Sequence, residues 1–323
     1  MMKLVGRPYS TYILAWGIVA AFLLVDLVWF RWSKLTFAES NVWLICYTIV
    51  SLAILAGVPI AVRRRLRTHA NRFAELLVSL ARSLSLLIHA TALTIAIGIV
   101  GVTFSYLSTS LALPLRDAEL AAIDRFLGFD WPAFLSFANH PLISLILKAA
   151  YHSAGPQLIA LYVYLSFTQR AERLGEFIAI FALASLATGI GMTLVPAEGA
   201  YPYYQPTAED FSNFSSHAGM WHHSAFTSLR TLDMPKLDFK TSEGLVTFPS
   251  FHTVLAIITW YAVRDVRIIS PVVALLNIVV VISTLPEGGH HFIDLVAGAT
   301  VAFGAIVAVR RFSGPRGSPA ANA

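Results

Sequence analysis

Long apolar runs alternate with short polar segments over most of this 323-residue chain. A helix needs about 20 apolar residues to cross the hydrocarbon core of a bilayer, and most of the runs have that length. The run at 249–263 is shorter, but residues 244–263 carry no charged side chain, so this segment can still reach across. The pattern predicts an all-α, polytopic helix bundle with eight membrane spans, at approximately 11–30, 42–62, 84–107, 149–168, 177–195, 249–263, 268–286 and 291–309.

Three segments depart from the spanning pattern. Residues 116–140 mix acidic, basic and aromatic side chains at helix-like spacing, which predicts an interfacial helix. Residues 196–247 form a long polar loop rich in aromatic residues and histidine, and loops of this length are typically functional or disordered. Its aromatic content favours a functional loop. The tail at 313–323 is rich in Gly, Pro and Ala, which predicts disorder.

The chain divides into three parts on this basis. We expect N-terminal spans with an Arg-rich loop at 1–83, a membrane core at 84–312 that includes the outer loop 196–247, and the disordered tail at 313–323. The first apolar run is too long for a signal peptide and is interpreted as a retained span.

Composition supports a membrane protein. The chain is 57% hydrophobic and 13% charged, whereas soluble domains carry about 25% charged residues. The pI of 9.4 raises the question of nucleic-acid binding, but the basic residues fall between apolar runs and form no recognition surface, so no nucleic-acid partner is expected. Cys46 is the only cysteine, which excludes a disulfide within the chain and a Cys-based metal motif.

The distribution of basic residues predicts the orientation. With an inner N-terminus, 15 of the 23 Lys and Arg fall on inner segments, and six arginines lie between Arg63 and Arg82. Inner loops are enriched in Lys and Arg. We therefore expect cytoplasmic N- and C-termini in a plasma or inner membrane.

Candidate chemistry lies at two helix ends that this topology places on the outer side. Pro249 and Ser250 are typical of a helix start, and His252 follows within the first turn, where an anion is attracted. His290 and Asp294 are four residues apart and so share one helix face. A carboxylate there can accept a proton from the imidazole and raise its basicity.

Two non-catalytic interpretations stay open at this point. A single histidine at a membrane interface is often a polar residue that reaches for water, and Asp294 could cap a helix. Ionisable residues in membrane segments are nevertheless functional by default. Competing classes are a transporter or lipid-binding protein that retains the helix framework, and a metalloenzyme whose ligands are His290, Asp294 and the loop histidines His217, His222 and His223.

The motifs resemble the signatures of the type 2 phosphatidic acid phosphatase (PAP2) superfamily. Pro249-Ser250-Phe251-His252 is similar to its Pro-Ser-Gly-His, and Ser283-Thr284-x5-His290-x3-Asp294 is similar to its Ser-Arg-x5-His-x3-Asp. Lys148-x6-Gly155-Pro156 partly matches its Lys-x6-Arg-Pro. The resemblance covers roughly residues 140–309 and implies a six-helix phosphatase-like core.

The resemblance also implies roles. His290 would be the nucleophile of a phosphohistidine-type intermediate, Asp294 would orient it, and His252 would protonate the leaving oxygen and then activate the acceptor. No cofactor or metal is implied. Three further side chains would hold phosphate oxygens: Lys148, Ser250 and, in an assisting role, Ser283.

Three positions depart from these signatures. Gly155 and Thr284 replace arginines, which grip phosphate with a bidentate fork, and Phe251 replaces glycine. The missing charge could come from the outer loop, through Arg230, His217, His222 or His223. Alternatively, the substrate is a phosphodiester, whose single charge needs fewer cations.

The second explanation agrees with a particular branch of the superfamily. The run from Gly288 to Leu295 most resembles the branch that contains inositol phosphorylceramide synthase. We therefore expect a lipid phosphatase or phosphotransferase at the outer leaflet, with headgroup transfer preferred. Its partners would be a phospholipid donor and a lipid, alcohol or water acceptor.

Overall fold

The computed structural model describes residues 8–69, 71–231 and 234–313 and shows a mainly helical protein. Within these ranges the extended segments are two short strands, β1 (Thr36–Phe37) and β2 (Lys236–Leu237), which pair in parallel. The helices are α1 (Pro8–Trp32), α2 (Glu39–Arg65), α3 (Arg72–Ser110), α4 (Asp117–Phe126), α5 (Trp131–Ala138), α6 (Pro141–His152), α7 (Ala154–Phe167), α8 (Ala171–Leu194), α9 (Ala200–Tyr204), α10 (His223–Thr231), α11 (Phe251–Ala262), α12 (Ile269–Ser283) and α13 (Phe292–Ser313).

The helix lengths fit a membrane protein. Five helices, namely α1, α2, α3, α8 and α13, are long and apolar enough to cross a bilayer. A sixth span results if α5 and α6, which meet at 102°, are counted together. The shorter apolar helices α7, α11 and α12 lie within the remaining predicted spans. The predicted all-α, polytopic membrane bundle is confirmed.

The fourth predicted span, at 149–168, is not one continuous helix. It breaks at Ser153, between α6 and α7, and α6 already begins at Pro141. Pro156 lies in the first turn of α7 and has no N–H to donate to the carbonyl of His152, one turn earlier. The break therefore has a cause in the sequence.

The predicted interfacial helix at 116–140 is likewise two helices, α4 and α5. Gly128 between them adopts φ +80°, a conformation that favours glycine. Asp130 then caps α5 by accepting a hydrogen bond from the N–H of Ala133 at 3.0 Å. The turn at 127–130 ends one helix and starts the next.

Helix α8 lies at the centre of the bundle. Its side chains Leu174, Phe177 and Ile180 are fully buried, and it packs against α1, α3, α11 and α13. The N-terminal helix α1 is therefore part of the same bundle. The division of the chain at residue 83 stays a prediction, and α3 runs through that position.

Some predicted features lie outside the described residues. They are the tail 313–323, apart from Ser313 at the end of α13, and three basic residues that contribute to the predicted orientation: Lys3, Arg7 and Arg316.

Candidate active site

His290 and Asp294 form a buried pair where α12 turns into α13. The Nδ1 atom of His290 lies 3.2 Å from Oδ2 of Asp294, and the two residues are 3% and 0% exposed. The same Oδ2 accepts a hydrogen bond from the backbone N–H of His291 at 2.9 Å. With Nδ1–H donating to the carboxylate, Nε2 of His290 keeps its lone pair free for a nucleophilic role.

The start of α11 is tied directly to the first turn of α13. Ser250 caps α11, its Oγ accepting from the N–H of Thr253 at 3.4 Å. Its own N–H donates to the backbone carbonyl of Asp294 at 3.0 Å. A Cβ on Gly191 would lie 2.6 Å from Pro249, and one on Gly298 would lie 2.4 Å from the Ser250 carbonyl oxygen. These glycines let α8 and α13 pack closely on either side of the Pro249-Ser250 turn.

His252 is held by an aromatic neighbour from α6. Its ring stacks on that of Tyr151 at 4.5 Å between centroids and 28° between planes. A Cβ on Gly288 would lie 3.1 Å from both the Tyr151 ring and the His290 ring. Tyr151 is therefore a close neighbour of both imidazoles, and the structure brings His252, His290 and Asp294 together at one end of the bundle.

Lys148 lies on the same side of α6 as the site. Tyr151 and His152 follow it by three and four residues, which places the three side chains on one helix face. His152 donates through Nε2 to the carboxylate of Glu287 at 3.2 Å, and that carboxylate also accepts from the hydroxyl of Ser215. Glu287 is fully buried. The buried carboxylate thus links α6 and the outer loop to the turn before His290.

A second buried cluster, of Asp117, His291 and Asp124, lies next to the His290–Asp294 pair. His291 is fully buried, with Nε2 3.3 Å from Asp117 and Nδ1 3.7 Å from Asp124. Burial by itself lowers the pKa of His291, but its contacts with the two carboxylates outweigh this effect and raise the pKa to about 9. The imidazole is therefore positively charged at neutral pH and bridges two carboxylates.

The two carboxylates also bind backbone groups. Asp124 accepts hydrogen bonds from the N–H groups of Phe292 and Ile293, both at 2.8 Å, and so caps α13 from a distant part of the chain. Asp117 accepts from the N–H of Gly199 at 2.8 Å. The cluster fixes both the helix that carries Asp294 and the start of the outer loop.

The turn 286–290 is held by its backbone. Four of its carbonyl oxygens each accept a hydrogen bond from the outer loop or from α5. The carbonyl of Pro286 accepts from the hydroxyl of Tyr201 at 2.7 Å, and that of Glu287 accepts from the N–H of Gly219 at 2.9 Å. The carbonyl of Gly289 accepts from the N–H of Ala200 at 2.7 Å, and that of His290 accepts from the indole N–H of Trp131 at 3.1 Å. The part of the outer loop that contacts this turn is therefore ordered against the site.

Two residues predicted to bind phosphate are engaged elsewhere. Ser283 is fully buried and its hydroxyl donates to the carbonyl of Val280 at 2.6 Å. Arg230 donates to the carbonyl of Leu113 at 2.9 Å and lies over the ring of Phe226. Neither makes a hydrogen bond or ion pair with the His290–Asp294 pair within the described ranges.

His217 is exposed at the outer surface of the loop. Its Nδ1 lies 2.9 Å from the hydroxyl of Ser216, and its ring lies against Trp221 at 5.5 Å. Trp221 in turn contacts the ring of His152 at 6.2 Å. His217 is thus connected to the site through two intervening rings.

The other loop histidines are also engaged. Nε2 of His223 lies 2.7 Å from the carboxylate of Glu198, and His222 bonds the carbonyl of Glu198 at 3.0 Å. Burial lowers the pKa of His222 to about 4, so its ring is neutral at pH 7. Among the described residues, no group of three His, Cys, Asp or Glu side chains is arranged to hold a metal ion.

Four residues of the site escape prediction from the sequence: Tyr151, Asp117, Asp124 and Glu287. Two signals could have indicated some of them. Asp117 and Asp124 are seven residues apart and therefore share a face of a short helix. Glu287 is a lone carboxylate beside a membrane span, where a charge is costly.

A family model described as the PAP2 superfamily matches residues 118–308, which is more than half of the chain and includes both histidine motifs. No curated protein and no solved structure gives a significant match.

Proposed function

The chain belongs to the PAP2 superfamily, and from this premise we propose that it is a membrane phosphotransferase or phosphatase acting on a phospholipid headgroup. Members of this superfamily are phosphatases or phosphotransferases of lipid-like substrates. Headgroup transfer through a phosphohistidine-type intermediate on His290 is the preferred reaction.

The observation that carries the proposal is the buried His290–Asp294 pair, joined by backbone to the helix start that precedes His252. In the first step Nε2 of His290 attacks the phosphorus atom and the bond from phosphorus to the leaving oxygen breaks. The negative charge of the bound phosphate favours the protonated form of the His252 ring, and His252 donates this proton to that oxygen. Asp294 stabilises the positive charge that develops on the His290 ring.

The second step restores the enzyme. His252, now neutral, takes a proton from the hydroxyl of an acceptor or of water, and the resulting oxygen attacks phosphorus. The phosphorus–nitrogen bond breaks and Nε2 of His290 regains its lone pair. Positioning and charge stabilisation supply most of the catalysis in reactions of this kind.

The small number of cations near the pair favours a phosphodiester substrate. Lys148, on the site face of α6, is the candidate for the phosphate oxygens, together with the backbone at the α11 start capped by Ser250. Arg230 is bonded to Leu113, and His222 is neutral at pH 7. The loop therefore offers little to replace the arginine forks that Gly155 and Thr284 lack. A phosphodiester carries one negative charge and needs less compensation.

The preference for transfer rests on the small number of cations near the His290–Asp294 pair and on the resemblance to the inositol phosphorylceramide synthase branch. A phosphatase would have to bind a phosphate monoester, which carries up to two negative charges. The proposed donor is therefore a phospholipid with a phosphodiester headgroup, and the acceptor is a lipid, an alcohol or water.

An apolar groove beside the pair supports a lipid substrate. It has a volume of about 420 Å³ and lies between α11, α12 and α13, with walls that include Thr253, Ile257, Leu285, Leu295 and Val296. Thr253 and Leu295 are the direct sequence neighbours of His252 and Asp294. A hydrocarbon chain in this groove would lie next to the reacting phosphate, which we propose to be at the outer leaflet.

The reaction can be tested by incubating the purified protein with a panel of phospholipids, with and without alcohol acceptors, and reading the products by mass spectrometry. A new phosphodiester lipid is expected, and free phosphate as the sole product would favour the phosphatase instead. His290→Ala and Asp294→Asn should each reduce turnover by at least about 1,000-fold, since the nucleophile and its orienting carboxylate act as a unit.

Folding of both variants is checked by size-exclusion chromatography and thermal unfolding. Turnover by well-folded His290→Ala at the wild-type rate would eliminate the mechanism. The absence of any product from the whole panel, with a folded wild-type protein, would favour a transporter or lipid-binding protein.

A further inference from the structure

A cleft lined by arginines lies at the end of the bundle opposite the candidate active site. It is bounded by the last turn of α2, the connecting segment and the first turns of α3, and has a volume of about 650 Å³. Helix α3 has 39 residues, a length of roughly 58 Å at 1.5 Å per residue. It begins at this cleft and ends shortly before Asp117, which contacts His291. The cleft is therefore tens of ångströms from the site.

The cleft is strongly positive. Its walls carry Glu75 as the one carboxylate, against a set of basic side chains: Arg63, Arg64, Arg67, Arg82 and His69. The four arginines are exposed, and none of them forms an ion pair in the part of the chain that the structure describes. Like charges held close together without counterions repel, so an anion between them would be bound favourably.

Orientation in the membrane explains the presence of basic residues here but not their convergence. Arginines of an inner loop set the topology wherever their side chains point, and those in the last turn of α2 also favour the helix C-terminus. Arg82 also counts among the inner arginines, but an inner position alone does not require its side chain to face the cleft. It lies well inside α3, almost three turns from its start, and yet faces the same cleft as Arg63 and Arg67.

Apolar side chains line the cleft together with the arginines. They are Ile60, Leu66, Ala74 and Val78, of which Ile60 is continuous in sequence with the exposed apolar face of α2. Helix α2 packs mainly on α3, and its other apolar side chains, such as Ile54, Leu55 and Val58, are more than half exposed. A cationic rim beside an apolar flank suits an amphipathic ligand better than a free inorganic anion.

We propose that this cleft binds the headgroup of a phospholipid that carries two or more negative charges. The guanidinium groups of Arg63, Arg64, Arg67 and Arg82 would hold its phosphates, with bidentate pairs where geometry allows. Its hydrocarbon chains would lie along the exposed face of α2. Basic pockets between membrane helices are known binding sites for polyanionic lipid headgroups.

The test uses the purified full chain in detergent and three probes: cardiolipin, phosphatidylcholine and inorganic pyrophosphate. Bound lipid is counted by native mass spectrometry at matched concentrations. We expect cardiolipin to be retained at least about tenfold better than phosphatidylcholine, because two phosphates can pair with several arginines. Pyrophosphate should compete only weakly because it cannot use the apolar flank.

One triple variant inside the cleft is compared with one double variant outside it. Arg64→Gln/Arg67→Gln/Arg82→Gln should lose about tenfold or more in cardiolipin retention, whereas Arg310→Gln/Arg311→Gln, which changes exposed basic residues outside the cleft, should bind as the wild type does. A lipid molecule bound in the active site contributes equally to the lipid count of both variants. Because the cleft is remote from His290, neither variant should change turnover of a short-chain donor.

Equal cardiolipin retention by the two variants would overturn the proposal. Efficient displacement of cardiolipin by pyrophosphate would also overturn it, and would identify the cleft as a site for free anions. If the triple variant does not fold, Arg82→Gln alone decides the matter: at least about threefold weaker retention is expected, and wild-type retention contradicts the assignment.

Discussion

His291 is a residue whose protonation is coupled to folding. Its pKa is raised from the ordinary value of 6.5 to about 9 in the folded protein, by Asp117 and Asp124 acting against burial. A group whose pKa is higher in the folded than in the unfolded protein contributes its full stabilisation of the fold at pH values below the unfolded pKa. That contribution is lost as the pH rises through the folded pKa. We expect the wild-type protein to lose about 3 kcal/mol of stability between pH 6.5 and 9.5 from this residue.

The measurement is thermal unfolding in detergent at pH 6.5, 8 and 9.5. His291→Gln removes the titrating group, so this variant should be less stable than the wild type at pH 6.5 and should lack this part of the decline. His140→Gln, which changes an exposed imidazole without hydrogen-bond partners in the described structure, serves as the control and should keep the wild-type slope. A wild-type slope in His291→Gln would contradict a charged His291.

At the scale of single residues, the sequence predicts which side chains interact when both belong to one short motif. His290 and Asp294 are predictable as a pair because their spacing of four follows from helix geometry. The partners of His291 are not, because Asp117 and Asp124 precede it by more than 160 residues. Such contacts depend on how α4 packs against α13, and no local pattern records that packing.

The start of α13 depends on a cap from another element. Asp124, in α4, accepts the hydrogen bonds of the first two N–H groups of α13. Asp124→Ala should cost about 2 kcal/mol or more, since both bonds are to a charged acceptor. It should also lower kcat, because Asp294 lies in the same first turn.

Asn71→Ala provides the comparison. Asn71 caps α3, its Oδ1 accepting from the N–H of Ala74 at 2.8 Å, at the end of the bundle remote from His290. Its loss should cost about 1 kcal/mol and leave kcat unchanged. Thermal unfolding and steady-state kinetics of both variants give the two quantities. A wild-type kcat in Asp124→Ala would show that the cap has no part in positioning Asp294.

Helix boundaries follow from sequence where a residue has a strict backbone requirement. Ser250 was expected at a helix start, and α11 begins one residue later with Ser250 as its cap. Pro156 could have indicated the break at Ser153 in the fourth span. The close approach of Gly298 to the Ser250 carbonyl could not be foreseen, because the sequence of an apolar helix does not show which segment packs against its glycine.

For the whole molecule, the helix bundle was predictable because a bilayer requires apolar segments of fixed length. The position of α8 at its centre was not, because apolar runs that face lipid and apolar runs that face protein have similar composition. The side of the membrane on which the site lies is a proposal that follows from the arginine distribution.

That orientation can be checked by labelling single cysteines in intact cells. In a Cys46→Ser background, Ser216→Cys in the exposed outer loop should react with a membrane-impermeant maleimide. Arg67→Cys, at the other end of the bundle, should react only after the membrane is permeabilised. The reverse pattern would invert the topology and place the site on the cytoplasmic side.

The most direct test of nucleophilic catalysis by His290 is to trap the covalent intermediate. A donor lipid carrying ³²P in the phosphate to be transferred is mixed with the protein, the reaction is stopped within its first turnover, and the label is mapped to a peptide. We expect acid-labile, base-stable label on His290, formed by the wild type and absent from His290→Asn. Turnover without any acid-labile label, or label on a different residue, would contradict nucleophilic catalysis by His290.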